Sequence, residues 1–381
     1  MIFRPVRTSV ALILLASQAG AAATGGVSLD AARRALASGD AATAVTMYEA
    51  LTQQGESLEV ELGLVRAALQ AGEFRKAMSW ATLTAGEHTE SSDAVALLAW
   101  LQDRVGHTEQ ALATLRQLRA DRPDDAVAIA ALTNVLLDRG GNASSTEKAA
   151  SLSWPRPTFE QFPVSTHRVL AAGNGIIVDG GQRVLTYSAV LPKEATAIYV
   201  RNGLGKLRRA ERTAGDQKGE LVRLRLTETY PSAWALPQDQ VVAPEGARFC
   251  FAFGYSTPRN PAGSYPAVSP GLVFRADAGT GGLMQVTSAL GSGHIGSPIF
   301  DPRGRLLGLS VGTGEIVIGG ENLRGRVGAG QFAVRAVPAQ PGSKGSSITP
   351  TRPAGPLPPM PAIEELYERL TPSVVQIIAV E

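Results

Sequence analysis

The segment Gly293-His294-Ile295-Gly296-Ser297-Pro298-Ile299-Phe300 lies in the part of the chain whose pattern determines the fold. Its last half, Ser297–Phe300, reads as a short strand that follows a turn with two glycines. Around this segment, from about His167 to Val337, apolar runs alternate with turn signals at intervals of roughly ten residues. This spacing predicts an all-β sandwich or barrel.

Nine strands are predicted in this region from alternating or continuous apolar patterns. They are Gly175–Val178, Arg183–Tyr187, Ala197–Val200, Glu220–Leu226, Arg248–Phe253, Gly271–Phe274, Met284–Thr287, Ser297–Phe300 and Leu306–Val311. Asn202-Gly203 predicts a type I′ hairpin turn. The basic residues that follow, Lys206, Arg208 and Arg209, predict a solvated face of the same hairpin.

Two segments resemble the catalytic loops of trypsin-like serine peptidases. Gly293–Phe300 is similar to the G-N-S-G-G-P-L loop that carries the nucleophile of that family, and Ile295 stands where the serine belongs. Val184–Leu191, which reads Val-Leu-Thr-Tyr-Ser-Ala-Val-Leu, resembles the V-L-T-N-A-H-V-V segment that carries the catalytic histidine. Ala189 stands in the place of that histidine.

Further segments resemble the same family in the order in which it carries them. They are Gly173–Val178 (family G-S-G-F-I-I), Gly219–Leu226 (S-D-L-A-L-L-K-I), Gly246–Gly254 (G-D-W-V-L-A-I-G), Asp301–Gly308 (N-x-x-G-E-V-I-G) and Phe332–Val334 (F-A-I). Glu220 replaces the catalytic aspartate of the second motif. The resemblance, which is to the HtrA/Deg type, implies an all-β double barrel of the chymotrypsin type over residues 164–337.

The triad positions hold the wrong chemical groups for peptide hydrolysis. That reaction needs a serine hydroxyl hydrogen-bonded to an imidazole, which a carboxylate orients. Here the positions hold Ile295, Ala189 and Glu220, so two of the three are hydrocarbons. Loss of the nucleophile or the base alone lowers kcat by about 10⁶ in subtilisin. The sequence therefore predicts no catalytic residue.

Substitute groups stand beside the degenerate positions. Ser292 and Ser297 flank Ile295, and Ser188 flanks Ala189. His294 can serve either loop serine only through an unusual local geometry, and it reads more simply as an exposed or backbone-bonded loop histidine. The backbone of Gly293, His294, Ile295 and Gly296 can still form a nest of N–H groups that binds a peptide carbonyl or carboxylate without cutting it.

Residues 28–141 repeat themselves. Gly39, Gly72 and Gly106 are 33 and 34 residues apart, and each is followed five residues later by an alanine, at Ala44, Ala77 and Ala111. The pattern resembles tetratricopeptide repeats, whose period is 34 with two helices per repeat. It implies an N-terminal all-α stack whose concave face binds peptide segments. The whole chain is thus predicted as an α+β multidomain protein.

Proline-containing connections separate the predicted parts. Residues 142–163 are polar and contain Pro155, Pro157 and Pro163, so we expect the stack and the barrel to be separable. Residues 338–362 are rich in proline and predict an extended, mobile linker.

The C-terminal tail, residues 363–381, predicts a short helix and a strand over Ser373–Val380. Together they resemble the opening L-x-E-R-V-S-P-S-V-V-x-I segment of HtrA-type domains, which does not precede Gly173 here. We expect this strand to insert into the barrel, in the same chain or in a neighbouring one. The alternative is the start of a second peptidase domain.

Composition limits the function classes. Residues 1–23 read as a cleavable secretory signal, and no second apolar stretch of membrane length follows. A net charge of +2 does not favour a nucleic-acid partner, and one cysteine, Cys250, excludes an internal disulfide. The four histidines are scattered and predict no metal-ligand cluster, and no cofactor motif is present.

These features predict an exported, non-catalytic scaffold or peptide-binding protein of the bacterial periplasm, with a protein or peptide as its ligand. One alternative is an active serine endopeptidase with relocated catalytic groups. Another is a regulatory partner of an HtrA-type peptidase.

Overall fold

The structure, a computed structural model, describes residues 27–55, 57–138, 144, 147, 154–155, 158–160, 168–213, 221–243, 248–255, 264–275, 283–288, 294–313, 331–335 and 361–381. Several predictions lie outside these ranges: the signal segment 1–23, most of the connections 142–163 and 338–362, and the positions Glu220, Ser292 and Gly293. Across the ranges that are described, no helix is both long enough and apolar enough to cross a membrane.

Helices fill the N-terminal part of the chain and pack as successive antiparallel hairpins followed by a single helix. We refer to them as the helical stack: α1 (Leu29–Ala37), α2 (Ala41–Thr52), α3 (Leu58–Ala71), α4 (Phe74–Glu87), α5 (Ser92–Arg104), α6 (Thr108–Asp121) and α7 (Ala126–Asp138). The sequence prediction of an all-α region before an all-β region is confirmed.

The repeating glycines lie in the turns between the two helices of each hairpin. Gly39, Gly72 and Gly106 have φ values of +82°, +83° and +93°, in the left-handed region that favours glycine. The alanines that follow them, Ala44 and its two equivalents, are fully buried, so the second helix of each hairpin lies close to its neighbours.

Six antiparallel strands form a first closed barrel, barrel one, in the order β1-β12-β3-β4-β5-β2. The strands are β1 (Val169–Val178), β2 (Arg183–Tyr187), β3 (Ala197–Asn202), β4 (Leu207–Arg212), β5 (Leu221–Leu226) and β12 (Val374–Val380). Its core includes Ile177, Val200 and Leu224, which are fully buried.

A second closed barrel, barrel two, has the order β10-β11-β8-β7-β6-β9. Its strands are β6 (Arg248–Gly254), β7 (Ala267–Arg275), β8 (Leu283–Val286), β9 (Pro298–Phe300), β10 (Leu306–Thr313) and β11 (Gln331–Arg335). Cys250 lies in its core, and burial raises the pKa of this thiol to about 11. The chymotrypsin-type double barrel predicted from the sequence is confirmed.

The C-terminal strand lies inside barrel one of the same chain. β12 pairs with β1, where Ala172 faces Ile378, and with β3, where Val200 faces Ile377. All seven residues of β12 are buried. The sequence left open whether this strand inserts in cis or in a neighbouring chain, and the structure has it in cis.

The helix before β12, α8 (Ile363–Leu370), connects the helical stack to barrel two. Tyr367 stacks on Phe74 of α4 with ring centroids 4.2 Å apart, and its hydroxyl donates to Pro266 O at 2.7 Å. Glu368 accepts hydrogen bonds from the backbone and side chain of Arg75.

In the described residues the helical stack and the barrels pack against each other, although the sequence predicted separable parts; cleavage within the connection stays a prediction. One hydrophobic core runs from the stack into both barrels, and it includes Trp100, Ile176 and Phe253. Arg104 at the end of α5 is almost fully buried, lies 2.6 Å from Asp103 and 2.5 Å from Asp138, and donates to Tyr265 O near β7. The prolines of the connection gave no information on how the helical stack and the barrels pack against each other.

The hairpin between β3 and β4 differs from its predicted turn. The positive φ lies at Gly205 (+79°), and Asn202 is a paired strand residue whose Oδ1 accepts from Leu204 N and Lys206 N. Gly203 is required for another reason, because a Cβ there would lie 2.2 Å from Thr371 O before β12. The predicted solvated basic face is also partly paired, since Lys206 Nζ lies 3.4 Å from Glu160 Oε1.

Candidate functional site

The fold brings the segments that carry two of the three degenerate triad positions to the same residue of β1, Gly173. Ala189 lies in a short 3₁₀ turn after β2, and Ile295 lies in the turn that leads into β9. Gly173 on β1 lies between these turns: a Cβ at Gly173 would lie 2.5 Å from Val190 Cγ2 and 3.0 Å from Ile295 O. We call this place, formed by Gly173, Ala189 and Ile295, the triad junction. Glu220 lies outside the described residues, directly before β5.

A buried asparagine holds the turn of Ile295 against barrel one. Asn174 donates to Ile295 O from its backbone N–H at 2.8 Å and from Nδ2 at 3.3 Å. Its Oδ1 accepts from Tyr255 N at 2.7 Å, at the end of β6 in barrel two. Thr186 of β2 donates to Asn174 O at 2.7 Å. The same residue therefore connects both barrels and the nucleophile-like turn, which keeps the backbone of the triad junction in one arrangement.

Gly296 shows how closely this turn approaches β1. Its φ is +80°, and a Cβ there would lie 2.1 Å from Asn174 O. Glycine is the residue that meets both requirements, because it has no side chain and readily adopts positive φ. The glycine of the peptidase-like motif is thus retained for packing.

Hydrocarbon side chains occupy the triad junction. Ile295 is half-buried and packs against the apolar core of barrel one, which includes Val190. Ala189 is exposed. Neither side chain can attack a carbonyl or transfer a proton.

Ser297 does not replace the missing nucleophile. It is fully buried, and its Oγ has no hydrogen-bond partner among the described residues. A Cβ at Gly254 would lie 2.2 Å from this oxygen, so β6 packs directly against it. A base that activates a serine must accept a hydrogen bond from its hydroxyl. In this structure Ser297 Oγ donates to no described base, which does not favour the alternative in which His294 activates Ser297.

His294 is itself only 3% exposed, so of the two interpretations, an exposed or a backbone-bonded loop histidine, the exposed one is wrong. The local chain explains this burial, because His294 O accepts from Ser297 N at 2.9 Å in a tight turn that leads into the barrel core.

The predicted nest of N–H groups is also incomplete. The Gly296 N–H donates to Ser310 O of β10 at 2.7 Å, so this donor is not available to a ligand. Gly293 lies outside the described residues. Gly296 is therefore removed from the set of residues that could bind an oxyanion.

The helical stack has a second candidate surface, the face formed by the first helices of its hairpins. There Trp154 donates from Nε1 to Asp93 Oδ1 at 3.2 Å, and its carbonyl accepts from Asn134 Nδ2 at 3.4 Å. Thr158 N donates to Gln70 Oε1 at 3.1 Å. The chain's own connecting segment thus occupies part of the face that the repeat resemblance assigned to a peptide ligand.

Metal-ligating side chains also cluster outside the triad junction. Over the residues that the structure describes, the one group of three or more such side chains is Glu61, Glu87 and His88, which lies in the helical stack and not at the triad junction.

Comparison with known proteins shows which family the barrels resemble. Residues 173–309 match the family model described as a trypsin-like peptidase domain. No curated protein sequence matches the chain.

Among solved structures, the protease domain of MamO from Magnetospirillum magneticum, in its apo form, is 23% identical over 42% of this chain and 82% of that chain, with a TM-score of 0.32. The serine endoprotease from Yersinia pestis is 19% identical over 46% of this chain and 56% of that chain, with a TM-score of 0.34. Deg5 is 16% identical over 44% of this chain and 80% of that chain, with a TM-score of 0.32.

The family match begins within β1 and ends in the middle of β10. The strands after the match, β11 and β12, complete the two closed barrels. The double barrel of this chain is similar to a trypsin-like peptidase domain over residues 173–309, and its β12 comes from the C-terminal end of the chain.

Proposed function

We propose that this chain is a non-catalytic relative of trypsin-like peptidases that binds unfolded protein or peptide segments at the triad junction. The observation that carries the proposal is that Val190, which follows Ala189, and the carbonyl of Ile295 both lie beside Gly173, and that Asn174 holds the turn of Ile295. The fold keeps the backbone arrangement of this place and fills it with hydrocarbon groups. Such a surface suits contact with an extended apolar segment and offers no group for acyl transfer.

The absence of hydrolysis is supported by the residues around the junction as well as by those in it. Ser297 is buried against Gly254, and its hydroxyl has no described hydrogen-bond partner that could accept its proton. We also propose that the protein is exported to the bacterial periplasm, because residues 1–23 have the pattern of a secretory signal.

The test uses fluorescein-labelled unfolded casein and the full-length mature chain. We expect saturable binding, measured by fluorescence anisotropy, with no change in casein size over the same period. Ile295→Arg places a charge in the apolar contact and should weaken binding by about tenfold or more. Gln238→Arg adds the same charge at an exposed position away from the junction and should leave binding unchanged.

A fluorophosphonate probe distinguishes this proposal from the active-hydrolase alternative. We expect no labelling of the chain, and Ile295→Ala should behave in the same way. Labelling or casein cleavage that disappears in Ser297→Ala would overturn the proposal. Equal casein binding by the parent chain and Ile295→Arg would show that the triad junction is not the binding surface. That result would not affect the part of the proposal that the chain is non-catalytic.

A further inference from the structure

Three side chains that can ligate a metal ion meet at the open end of the second hairpin of the helical stack. Glu61 lies in the first turn of α3, Glu87 is the last residue of α4, and His88 follows it directly. One ligand atom from each lies within 4.8 Å of the others. α3 and α4 are antiparallel, so the start of one helix lies beside the end of the other, opposite the turn at Gly72.

Glu61 is the unusual member of this group. The residue is only 2% exposed, and its Oε2 has no hydrogen-bond partner among the described residues. The nearest basic nitrogen described for it is His88 Nε2 at 3.6 Å, which is beyond hydrogen-bond distance. A carboxylate that is removed from water is strongly unfavourable unless a charge or donors compensate it. The position therefore lacks a cation in direct contact.

His88 is oriented as a ligand. Its Nδ1 lies 3.6 Å from Glu90 Oε1, while its Nε2 is directed to Glu61. Histidines that ligate metals with one ring nitrogen commonly donate the other N–H to a carboxylate, which sets the tautomer and the ring orientation. At 3.6 Å the Glu90 carboxylate is beyond hydrogen-bond distance, so it takes this role only after a small rotation of its exposed side chain, and Nε2 then presents its lone pair to the space between Glu61 and Glu87.

An open cleft leads to this space. It has a volume of about 170 Å³ and is lined by Thr52, Gln53, Glu61, Trp80, Leu83 and Glu87. Two of the three ligands line the cleft, so an ion can reach them from solvent without opening of the stack. A water molecule, as the fourth ligand, can occupy the same cleft.

We propose that Glu61, Glu87 and His88 bind one divalent transition-metal ion of the zinc class. One imidazole nitrogen and two carboxylates form a mixed ligand set that suits Zn²⁺, whereas Mg²⁺ and Ca²⁺ prefer oxygen ligands alone. Ligand atoms around a tetrahedral Zn²⁺ lie about 2.0–2.2 Å from the ion. The three groups therefore close from their present separation by side-chain rotation, and water completes the coordination. The ion joins the start of α3 to the end of α4 and neutralises the buried carboxylate.

The experiment is a titration of the tag-free full-length chain, after treatment with a chelator, with Zn²⁺ and separately with Mg²⁺. Isothermal titration calorimetry should show one Zn²⁺ site and no comparable Mg²⁺ site, and Zn²⁺ should raise Tm. Titration with Co²⁺ should produce visible absorption bands of low-symmetry coordination. Glu61→Gln and His88→Gln should each lose these bands and weaken Zn²⁺ binding by about 100-fold or more. Glu90→Gln, which removes only the orienting carboxylate, should weaken it by about 10–100-fold.

Two matched controls change the same residue types elsewhere in the stack. His107→Gln and the exposed Glu109→Gln should leave Zn²⁺ affinity unchanged. Circular dichroism establishes that each variant is folded, and the Co²⁺ spectrum reports on the site without relying on stability. No Zn²⁺ heat and no Tm shift in the parent chain would overturn the proposal. So would Zn²⁺ binding that persists undiminished in both Glu61→Gln and His88→Gln. Neither result bears on casein binding at the triad junction.

Discussion

Barrel two closes with strands that lie between Arg248 and Arg335, whereas barrel one closes only with β12, which follows all the strands of barrel two. In barrel one, β12 stands between β1 and β3, so its absence would leave two unpaired strand edges. The entropic penalty of such a long closure grows slowly with the length of the connecting chain. The two barrels have the same architecture, but barrel two is built from consecutive strands, whereas barrel one depends on a strand near the C-terminal end of the chain.

Removal of residues 361–381 is expected to have the largest effect on this comparison. Barrel one would lose a strand whose seven residues are all buried. Truncation of a single buried isoleucine to alanine already lowers the free energy of unfolding by about 2–5 kcal/mol. The shortened chain should lose cooperative unfolding of barrel one, measured by calorimetry. Amide hydrogen exchange should increase in β1 and β3 before it increases in β7.

A synthetic peptide of residues 361–381 sharpens this test. Added to the shortened chain, it should restore protection in β1 and β3 because it supplies the missing strand. Glu381→Gln, which alters the exposed end of the tail, is the control and should leave Tm unchanged. A shortened chain with the Tm and oligomeric state of the full chain would contradict the dependence of barrel one on β12.

Arg104→Ala tests how barrel two is attached to the helical stack. Burial alone would lower the pKa of Arg104, but the carboxylates of Asp138 and Asp103 outweigh burial and raise it. Removing the guanidinium leaves these carboxylates buried without their cation, which should lower the free energy of unfolding by about 3–5 kcal/mol. Chemical denaturation measures this loss.

The effect of Arg104→Ala should fall unequally on the two barrels. Arg104 donates to Tyr265 O, so hydrogen exchange should rise in β7 more than in β3. Arg116→Ala, at an exposed position on α6, is the matched control and should change stability by less than about 0.5 kcal/mol. Equal losses in the two variants would show that the buried ion pairs do not hold barrel two to the stack.

Asn174→Ala tests the connection between the two barrels themselves. The change removes the acceptor of Tyr255 N and a side-chain donor to Ile295 O, and it leaves buried polar groups without partners. A loss of about 1–3 kcal/mol in the free energy of unfolding is expected from denaturant titration. Gln182→Ala, an exposed amide on barrel one, should be neutral. A neutral Asn174→Ala would mean that the amide does not couple the barrels.

Local patterns predicted the parts of the fold that depend on neighbouring residues. The spacing of Gly39, Gly72 and Gly106 predicted the repeats, and each glycine adopts the positive φ that a helical hairpin turn requires. The strand patterns and motif order predicted both barrels. β4 was not predicted as a strand, because its charged residues Arg208, Arg209 and Glu211 obscure a short pattern in which only Ala210 is buried.

Features that depend on distant residues could not be predicted in the same way. Gly203 suggested a local turn, yet its role is to admit Thr371 from the tail. Glu61 and His88 are far apart in sequence, and no metal-ligand spacing joins them, so only the packing of α3 on α4 brings them together. The sealed hydroxyl of Ser297 likewise follows from the approach of Gly254 in another strand.

The smallest expected effect concerns the contact that attaches α8, and with it β12, to the helical stack. Burial alone would raise the pKa of Glu368, but the hydrogen bonds and charge of Arg75 outweigh burial and lower it. A lowered carboxyl pKa contributes stability above the unfolded value, near pH 4.3, and this contribution is lost as the pH falls through the folded value. Glu368→Gln should therefore lower Tm slightly at pH 7, and the difference from the parent chain should vanish in acid.

Glu365→Gln, the exposed neighbour on the same helix, should show no such difference at either pH. A difference for Glu368→Gln that persists at low pH would mean that the side chain stabilises the tail by packing and not through its charge.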